Sequence, residues 1–327
     1  MRFLSPEKLQ WLKKLKARDI SGVVVFGDVH GSITQGNVSD LSLNWAPVRA
    51  GQTELAWLNW RTRLADLEGR DTYKTELIDW AKQPERGVLG RFVTGEGGVG
   101  KTRLAAEVAN ALRSANWAAG FVDLNSPGSY FAKKAGTLVL IDYPEERREG
   151  VRTLLENLSR VETENRIRLL FLSRRGWDVW QQEIAGADGA INFFDKKGIA
   201  LPPLAGETAY AIFQSAQKRL AHEKKVDPQP INEKDFTDWL NHNAIHHRPL
   251  FLVAAAIHSV LHPEVSVITL SGREVVEALA ERELARLADE GVAAGMTPEA
   301  LPRLAAFAAI RGDLSGAELK FLAKRRT

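Results

Sequence analysis

The 327-residue sequence contains no cysteine. The protein therefore has no disulfide bond, no thiol nucleophile and no cysteine-ligated zinc site, which is in keeping with a cytoplasmic protein. The sequence also lacks an apolar run long enough to cross a membrane as a helix. Residues 1–6, Met-Arg-Phe-Leu-Ser-Pro, do not form the apolar core of a signal peptide. From these absences we expect a cytoplasmic protein without a membrane partner.

A large excess of charge of one sign is missing as well, because the formal net charge at pH 7 is only +3. Basic residues are concentrated in residues 13–18 and 324–326. Runs of this kind are usually solvated surfaces or tails, so we do not expect a nucleic-acid partner. Apolar residues nevertheless make up 44% of the sequence, which is enough for the cores of two or three small domains.

The sequence also lacks a complete set of metal ligands. Residues 23–31, Val-Val-Val-Phe-Gly-Asp-Val-His-Gly, resemble the opening motif of the calcineurin-like metallophosphoesterases. Those enzymes need a second Gly-Asp motif and a Gly-Asn-His motif further along the chain, and the sequence has neither. Two ligands cannot complete a metal site. We therefore interpret these residues as a strand that runs into a turn over residues 36–39.

The motif around which the sequence is organised is at residues 95–102, Gly-Glu-Gly-Gly-Val-Gly-Lys-Thr. It fits the pattern of the phosphate-binding P-loop, G-x-x-x-x-G-K-[ST]. The apolar residues 88–93 before it predict a strand, and the helical spacing of apolar residues in 103–113 predicts a helix. Glycines at a strand-to-helix turn let successive N–H groups face one anion, and the helix N-terminus adds a positive end.

We therefore expect this loop to bind ATP or ADP together with Mg²⁺. Lys101 is expected to reach the β- and γ-phosphates, and Thr102 is expected to hold the metal. The residues expected to contact nucleotide in this region are Gly95, Gly97, Gly98, Val99, Gly100, Lys101, Thr102 and Arg103.

Two later apolar runs predict strands that end in charged residues. Residues 137–142 are apolar up to Asp142, as in a strand buried on both faces of a parallel sheet, and an acid at that end can bind Mg²⁺ directly or through water. Just beyond it, Glu145 or its neighbour Glu146 can polarise a water molecule, or both can be solvated residues at a helix start. Residues 167–172 end in Ser173-Arg174-Arg175, where a cation can touch the γ-phosphate.

The remaining periodicity predicts helices around this sheet and a helical C-terminal half. Before the P-loop we expect helices over residues 5–18, 53–66 and 72–82, and after it a short strand over residues 121–124 and a helix over 151–158. Beyond residues 201–204 the chain is nearly all helical, with stripes at 210–220, 236–240, 251–261 and 275–287 and helix starts at Thr297 and Ser315. The fold class is thus α/β, a parallel P-loop NTPase sheet with flanking helices, followed by an all-α subdomain.

The order of six segments resembles that of a known family. These are Leu-Glu-Gly-Arg-Asp at residues 67–71, the P-loop, residues 140–145, residues 170–174, Leu-Pro-Pro-Leu at 201–204 and Arg-Pro-Leu-Phe at 248–251. The series resembles the STAND NTPases, signal-transduction relatives of the AAA+ proteins that include the NB-ARC domains, and it is most similar to the bacterial ATP-binding members. The resemblance covers about residues 60–327.

The resemblance implies roles for individual residues and a division into domains. Gly69 and Arg70 would lie over the adenine and ribose, Arg174 would be the sensor arginine, and Pro249 would pack on the adenine. The expected catalytic residues are Lys101, Asp142, Glu145 and Arg174. The implied domains are an N-terminal segment (1–60), a nucleotide-binding domain (61–205), a helical subdomain (206–292) and the start of a winged-helix subdomain (293–327).

The function implied is an ATP/ADP switch with slow Mg²⁺-dependent hydrolysis. Members of this family associate with themselves on activation and act in signalling, so we expect oligomerisation and a role in bacterial defence or regulation. The effector and sensor parts would lie outside this chain. Two alternatives are a P-loop ATPase with steady turnover and a DNA-binding regulator that uses the winged-helix region.

Overall fold

A computed structural model describes residues 17–20, 23–26, 41–49, 52, 54–124, 135–159, 163–184, 190–195 and 198–275. Several expectations lie outside these residues, namely the helix over 5–16, the motif at 27–31, the helices after residue 275 and the whole winged-helix region (293–327). Among the described residues, none of the helices is both long enough and apolar enough to span a membrane.

The chain begins with two short antiparallel strands, β1 (Ala17–Ile20) and β2 (Val23–Phe26), in which Ala17 lies opposite Phe26. The strand expected at residues 23–26 is confirmed. The helix expected over 5–18 is wrong at its last two residues, because residues 17 and 18 pair with β2 instead. Pairing with another segment overrides a weak local helical preference.

A five-stranded parallel sheet forms the centre of the α/β part. Its strands are β3 (Gly87–Thr94), β4 (Ala118–Phe121), β5 (Thr137–Asp142), β6 (Arg166–Ser173) and β7 (Ile199–Ala200), in the spatial order β4-β5-β6-β3-β7. The register places Thr94 opposite Ser173 and Asp142 opposite Leu172, so the carboxyl ends of β3, β5 and β6 lie side by side. The strands predicted at 88–93, 137–142 and 167–172 are confirmed.

Helices cover both faces of this sheet. They are α2 (Asp71–Lys82), α3 (Lys101–Ser114), α4 (Arg148–Ser159) and α5 (Trp177–Ile184). The short helix α1 (Glu54–Trp57) precedes them in the chain and does not belong to either core on the sheet. One apolar core joins α2 and α3 to one face, and a second joins α4 and α5 to the other face. Burial on both faces explains why the central strands are almost wholly apolar.

The segment after the sheet is helical and has a core of its own. Its helices are α6 (Gly206–Lys224), α7 (Glu233–Asn241) and α8 (Pro249–Leu261). Short 3₁₀ turns occur at Trp60–Thr62, Pro144–Glu146, Ala190–Phe193, Ala244–His247 and Val267–Thr269. The helical core also includes Trp57, Leu64 and Ala65, which precede the sheet in the chain. The helices predicted from the stripes at 210–220, 236–240 and 251–261 are confirmed.

Two elements differ from expectation. The helix expected over 53–66 is wrong, because α1 ends at Trp57 and Asn59 starts a separate 3₁₀ turn by accepting a hydrogen bond from Arg61 N. Arg63 then adopts a left-handed conformation, with φ 53°, which a helix cannot contain. The strand expected at 121–124 is instead β4, which ends at Phe121, where its edge pairs antiparallel with Ser42.

Candidate functional site

The residues 95–100 form a glycine-rich turn between β3 and α3. Gly98 and Gly100 have φ of 77° and 96°, values that only glycine adopts without strain. Gly100 is the N-cap of α3 and supplies no side-chain cap. The first N–H groups of a helix have no partner within the helix, and they carry the positive end of its dipole. The turn therefore presents a group of backbone donors suited to an anion.

Lys101 is folded over this turn. Its Nζ donates hydrogen bonds to the carbonyl oxygens of Gly95 (2.7 Å) and Glu96 (3.0 Å). Burial lowers the pKa of Lys101 from its usual 10.5 to about 8; the charges of Asp142 and Glu145 raise this pKa, and that of Arg174 lowers it. The four residues expected to be catalytic are thus brought together at the carboxyl edge of the sheet.

Thr102 and Asp142 come together from α3 and the end of β5. The threonine Oγ1 donates to the aspartate carboxylate, at 3.1 Å from Oδ2 and 3.3 Å from Oδ1. A hydroxyl and a carboxylate are oxygen ligands that suit Mg²⁺, which keeps several waters and takes the rest of its ligands from phosphate. No cluster of three or more His, Cys, Asp or Glu suited to a metal occurs among the described residues. These two oxygens therefore fit Mg²⁺ as it binds with a nucleotide, not as a permanent metal centre.

Glu145 follows Asp142 in a tight turn. Tyr143 is left-handed, with φ 50°, and the 3₁₀ turn Pro144–Glu146 follows directly. Glu145 Oε1 accepts a hydrogen bond from Arg174 N (3.1 Å), so it connects the ends of β5 and β6. Its Oε2 is buried and has no hydrogen-bond partner among the described residues. An unsatisfied buried carboxylate oxygen is costly, and it is well suited to accept a proton or a hydrogen bond from water.

Arg174 is the first residue after β6, the strand that lies between β3 and β5. Its side chain is exposed, and its positive charge is close enough to lower the pKa of Lys101. The neighbouring Arg175 donates its backbone N–H to Ser173 Oγ (2.9 Å). The position of Arg174 is compatible with the expected contact with a terminal phosphate, which stays a prediction.

Arg70 contacts the glycine-rich turn, and its neighbour Gly69 packs against α6. Arg70 is only 3% exposed, and its Nη2 donates to Pro202 O (2.7 Å) and Val99 O (3.3 Å). Gly69 has φ 65°, and a Cβ there would lie 2.6 Å from Cγ2 of Thr208 in α6. The guanidinium therefore joins the turn, at Val99, to the segment that follows β7, at Pro202. A contact of either residue with adenine or ribose stays a prediction.

Arg103 is held away from the glycine-rich turn. Its Nε donates to Glu107 (2.9 Å) and its Nη1 to Ala65 O (3.2 Å). The side chain lines a cavity of about 600 Å³ between the two parts of the chain, together with Leu67 and Arg219. The contact of Arg103 with nucleotide stays a prediction.

The first turn of α8 is in direct contact with the glycine-rich turn. The sequence analysis placed Pro249 near the nucleotide but did not predict this contact. Leu250 N donates to Gly98 O (3.2 Å), and the guanidinium of Arg248 pairs with the Glu96 carboxylate. Pro249 Cγ lies 3.7 Å from where a Cβ at Gly100 would be. The only signal for this contact was the Arg-Pro-Leu-Phe segment itself.

The structure contains a parallel strand, a glycine-rich turn and a helix that begins with Lys-Thr, and a nearby strand ends in an aspartate. The chain has the fold of a P-loop NTPase. Its glycine-rich turn is hereafter the P-loop (Gly95–Thr102), and residues 206–275 are hereafter the helical region.

No protein-family model and no curated protein matches this chain. Solved structures with a similar arrangement include the ORC2 protein of Aeropyrum pernix with ADPNP and ADP, with 14% identity, coverage of 76% of this chain and 84% of that chain, and a TM-score of 0.47. The ORC1 protein of the same organism in complex with DNA has 12% identity, coverage of 73% and 71%, and a TM-score of 0.48.

Domain III of the replication initiation protein DnaA from Thermotoga maritima is also similar, with 17% identity, coverage of 72% and 98%, and a TM-score of 0.42. At such identities and scores we base no argument on these likenesses. The fold of the chain is established by its own sheet order and P-loop geometry, and the function is argued below from the site.

Proposed function

We propose that the chain binds ATP and ADP with Mg²⁺ and works as a nucleotide-dependent switch of the STAND type. The observation that carries this proposal is the contact of α8 with the P-loop, through Leu250 N and Gly98 O (3.2 Å). Phosphates bound by the P-loop would lie beside the first turn of α8. The fit of the helical region on the sheet would therefore depend on which nucleotide is bound.

The roles follow from the positions of the side chains. Lys101 supplies the cation for the β- and γ-phosphates in exchange for its present carbonyl partners. Thr102 and Asp142, whose oxygens are 3.1 Å apart at the closest, hold Mg²⁺. Arg174 contacts the terminal phosphate. Mg²⁺ held by these two residues would neutralise part of the phosphate charge.

A switch requires that the two nucleotides prefer different arrangements of the two regions, because a ligand with equal affinity for both arrangements shifts nothing. The connection between the regions is short. Leu204 N donates to His247 O (3.1 Å), and His247 Nδ1 lies 2.9 Å from Leu204 O. His247 directly precedes the first turn of α8, so a shift of that turn on the P-loop would also move the linker at residues 201–205. Self-association on activation, signalling and a cytoplasmic location are part of the proposal through the STAND resemblance.

The test combines binding with limited proteolysis. Isothermal titration of the full chain with ADP, and with a non-hydrolysable ATP analogue and Mg²⁺, should give binding that Lys101→Ala abolishes and that Asp142→Asn weakens only when Mg²⁺ is present. ADP should protect residues 201–210 from proteolysis, and the triphosphate should give a different cleavage pattern there. Equal affinity in Lys101→Ala would refute nucleotide binding at the P-loop. Identical cleavage with both nucleotides and with none would refute the switch.

A second candidate is a P-loop ATPase with steady turnover, favoured by the buried Glu145 Oε2, which has no hydrogen-bond partner in the part of the chain that the structure describes. A base for the attacking water is useful only if ATP is hydrolysed. Steady-state phosphate release separates the two candidates. Turnover on the order of 1 per second or faster, lost in Glu145→Gln, would favour the ATPase, whereas release of about one phosphate per chain would favour the switch.

A further inference from the structure

The P-loop carries an acid, Glu96, at its second position, and this acid is paired with an arginine from the helical region. Arg248 has φ −93° and ψ 128°, the extended conformation required before Pro249. Its Nη2 contacts the Glu96 carboxylate, and its Nη1 lies 3.5 Å from Gly97 O. An acid in a loop that binds anions opposes the function of that loop unless its charge is neutralised.

Arg248 is held over the P-loop by the contact that its neighbour Leu250 makes with Gly98. Besides the hydrogen bond from Leu250 N to Gly98 O, a Cβ at Gly98 would lie 3.1 Å from Leu250 Cβ and 3.9 Å from Arg248 Cβ. The backbones of α8 and the P-loop are therefore in contact. Arg248 can exchange one anionic partner for another beside it without movement of the helix.

The position of Arg248 along the P-loop indicates which phosphate it would contact. Lys101 Nζ donates to the carbonyls of Gly95 and Glu96. The lysine of a P-loop reaches the β- and γ-phosphates. The stretch Gly95–Gly97 is thus at the terminal-phosphate end of the loop, and Arg248 lies over that stretch.

The existing pair is weak enough to be displaced. The side chain of Glu96 is 70% exposed and that of Arg248 is 27% exposed. An ion pair with an exposed partner is worth only about 0–1 kcal/mol. Phosphate carries more charge than a carboxylate, and it accepts the two parallel N–H groups of an arginine in a geometry that favours it.

We propose that Glu96 is a built-in competitor of the terminal phosphate for Arg248. This inference rests on the proposed nucleotide binding and extends it. With a diphosphate the arginine stays on Glu96, and with a triphosphate it transfers to the third phosphate. The pair thereby makes the docking of α8 sensitive to the number of phosphates and lets the carboxylate set the affinity for the triphosphate.

The test measures the affinities for ADP and for a non-hydrolysable ATP analogue with Mg²⁺ in the full chain. Arg248→Ala should weaken binding of the triphosphate about tenfold or more and binding of ADP by less than about threefold. The reason is that only the triphosphate loses a charge-assisted hydrogen bond. Glu96→Gln should strengthen binding of the triphosphate about threefold and change the affinity for ADP little. In the double variant this gain should shrink, because it requires the arginine.

A matched control is Arg219→Ala, which removes another arginine that links the two regions, from α6 to Asp66 (2.8 Å) and to the backbone of Arg63. It should leave the ratio of the two affinities unchanged. A ratio changed equally by Arg219→Ala would mean that any loosening of the interface has this effect, and the assignment would fail. A gain from Glu96→Gln that is equal for both nucleotides and in both backgrounds would mean simple repulsion and would also overturn it.

The outcome also separates this inference from the proposed function. A wild-type chain that binds neither nucleotide overturns both. A wild-type chain that binds, loses binding in Lys101→Ala and keeps its affinity ratio in Arg248→Ala overturns only the competition between Glu96 and the phosphate.

Discussion

Two buried cations lie near opposite ends of the parallel sheet, and both are held by backbone carbonyls. Arg168, in β6, is fully buried and donates five hydrogen bonds, to the carbonyl oxygens of residues 81, 83, 85, 87 and 167 at 2.7–3.3 Å. Lys101, at the carboxyl end, donates to the carbonyls of Gly95 and Glu96. Burial lowers the pKa of both groups, that of Arg168 to about 10 and that of Lys101 to about 8.

The difference lies in the surroundings. Three of the carbonyls around Arg168 belong to the end of α2 and the loop into β3, and the other two belong to β3 and β6. The guanidinium therefore supplies donors to a helix end whose last carbonyls have no partner within the helix. Around Lys101 lie the open N–H groups of the P-loop and other charged side chains. The first arrangement is complete within the protein and is structural. We propose that the second is completed by the bound nucleotide, and the burial of Lys101 costs stability without it.

The largest effect is expected from Arg168→Met. The change removes one donor from five carbonyls, and the hydrogen bonds to those of Ala81 and Ile167 are fully buried, so the free energy of unfolding should fall by about 3 kcal/mol or more. Urea denaturation measures it, and Arg166→Met, at the partly exposed start of the same strand, is the control. If the two variants lose equal stability, the hydrogen bonds of Arg168 do not stabilise the end of α2. The contrast between a structural cation at one end of the sheet and a ligand-binding cation at the other would then fail.

The second prediction concerns Lys101→Met in the protein without nucleotide or metal. Because folding lowers the pKa of Lys101 from 10.5 to about 8, the unfolded chain binds more protons between these pH values, and stability rises with pH across that window. At pH 7 the variant should be more stable than the wild type, by on the order of 1–2 kcal/mol. The advantage should shrink between about pH 8 and pH 10.5. Urea denaturation at several pH values checks it, and a variant less stable at pH 7 contradicts it.

Much of the α/β part could be predicted because its signals are local. The strands β3, β5 and β6 are long apolar runs, and the P-loop motif places a strand end and a helix start within one residue or two. The aspartate at the end of β5 follows from the same logic. The helix α3 was predicted from the spacing of Leu104, Val108 and Leu112, all of which are buried.

The rest depends on partners that are distant in the chain. The carbonyls that bind Arg168 lie more than 80 residues away, apart from that of Ile167, and a carbonyl is present in every residue, so it leaves no mark in the sequence. Glu96 and Arg248 are 152 residues apart, and Glu96 occupies a position of the P-loop pattern where any residue is allowed. The end of α1 at Trp57 depends on an Asn59 cap that competes with an otherwise helical apolar pattern.

The smallest effect sharpens the comparison at the carboxyl end. The charge of Arg174 lowers the pKa of Lys101, so Arg174→Ala should raise that pKa and reduce the stability advantage of Lys101→Met at pH 7 by about 0.3 kcal/mol.

The same substitution should weaken binding of the ATP analogue about tenfold and binding of ADP by less than about twofold, because only the terminal phosphate loses a charged donor. Arg175→Ala is the matched control in calorimetry, since it removes a neighbouring arginine whose backbone N–H is bound to Ser173. Selective loss of the triphosphate in Arg175→Ala instead would transfer the role to that residue, and equal loss of both nucleotides would mean that neither arginine reads the third phosphate.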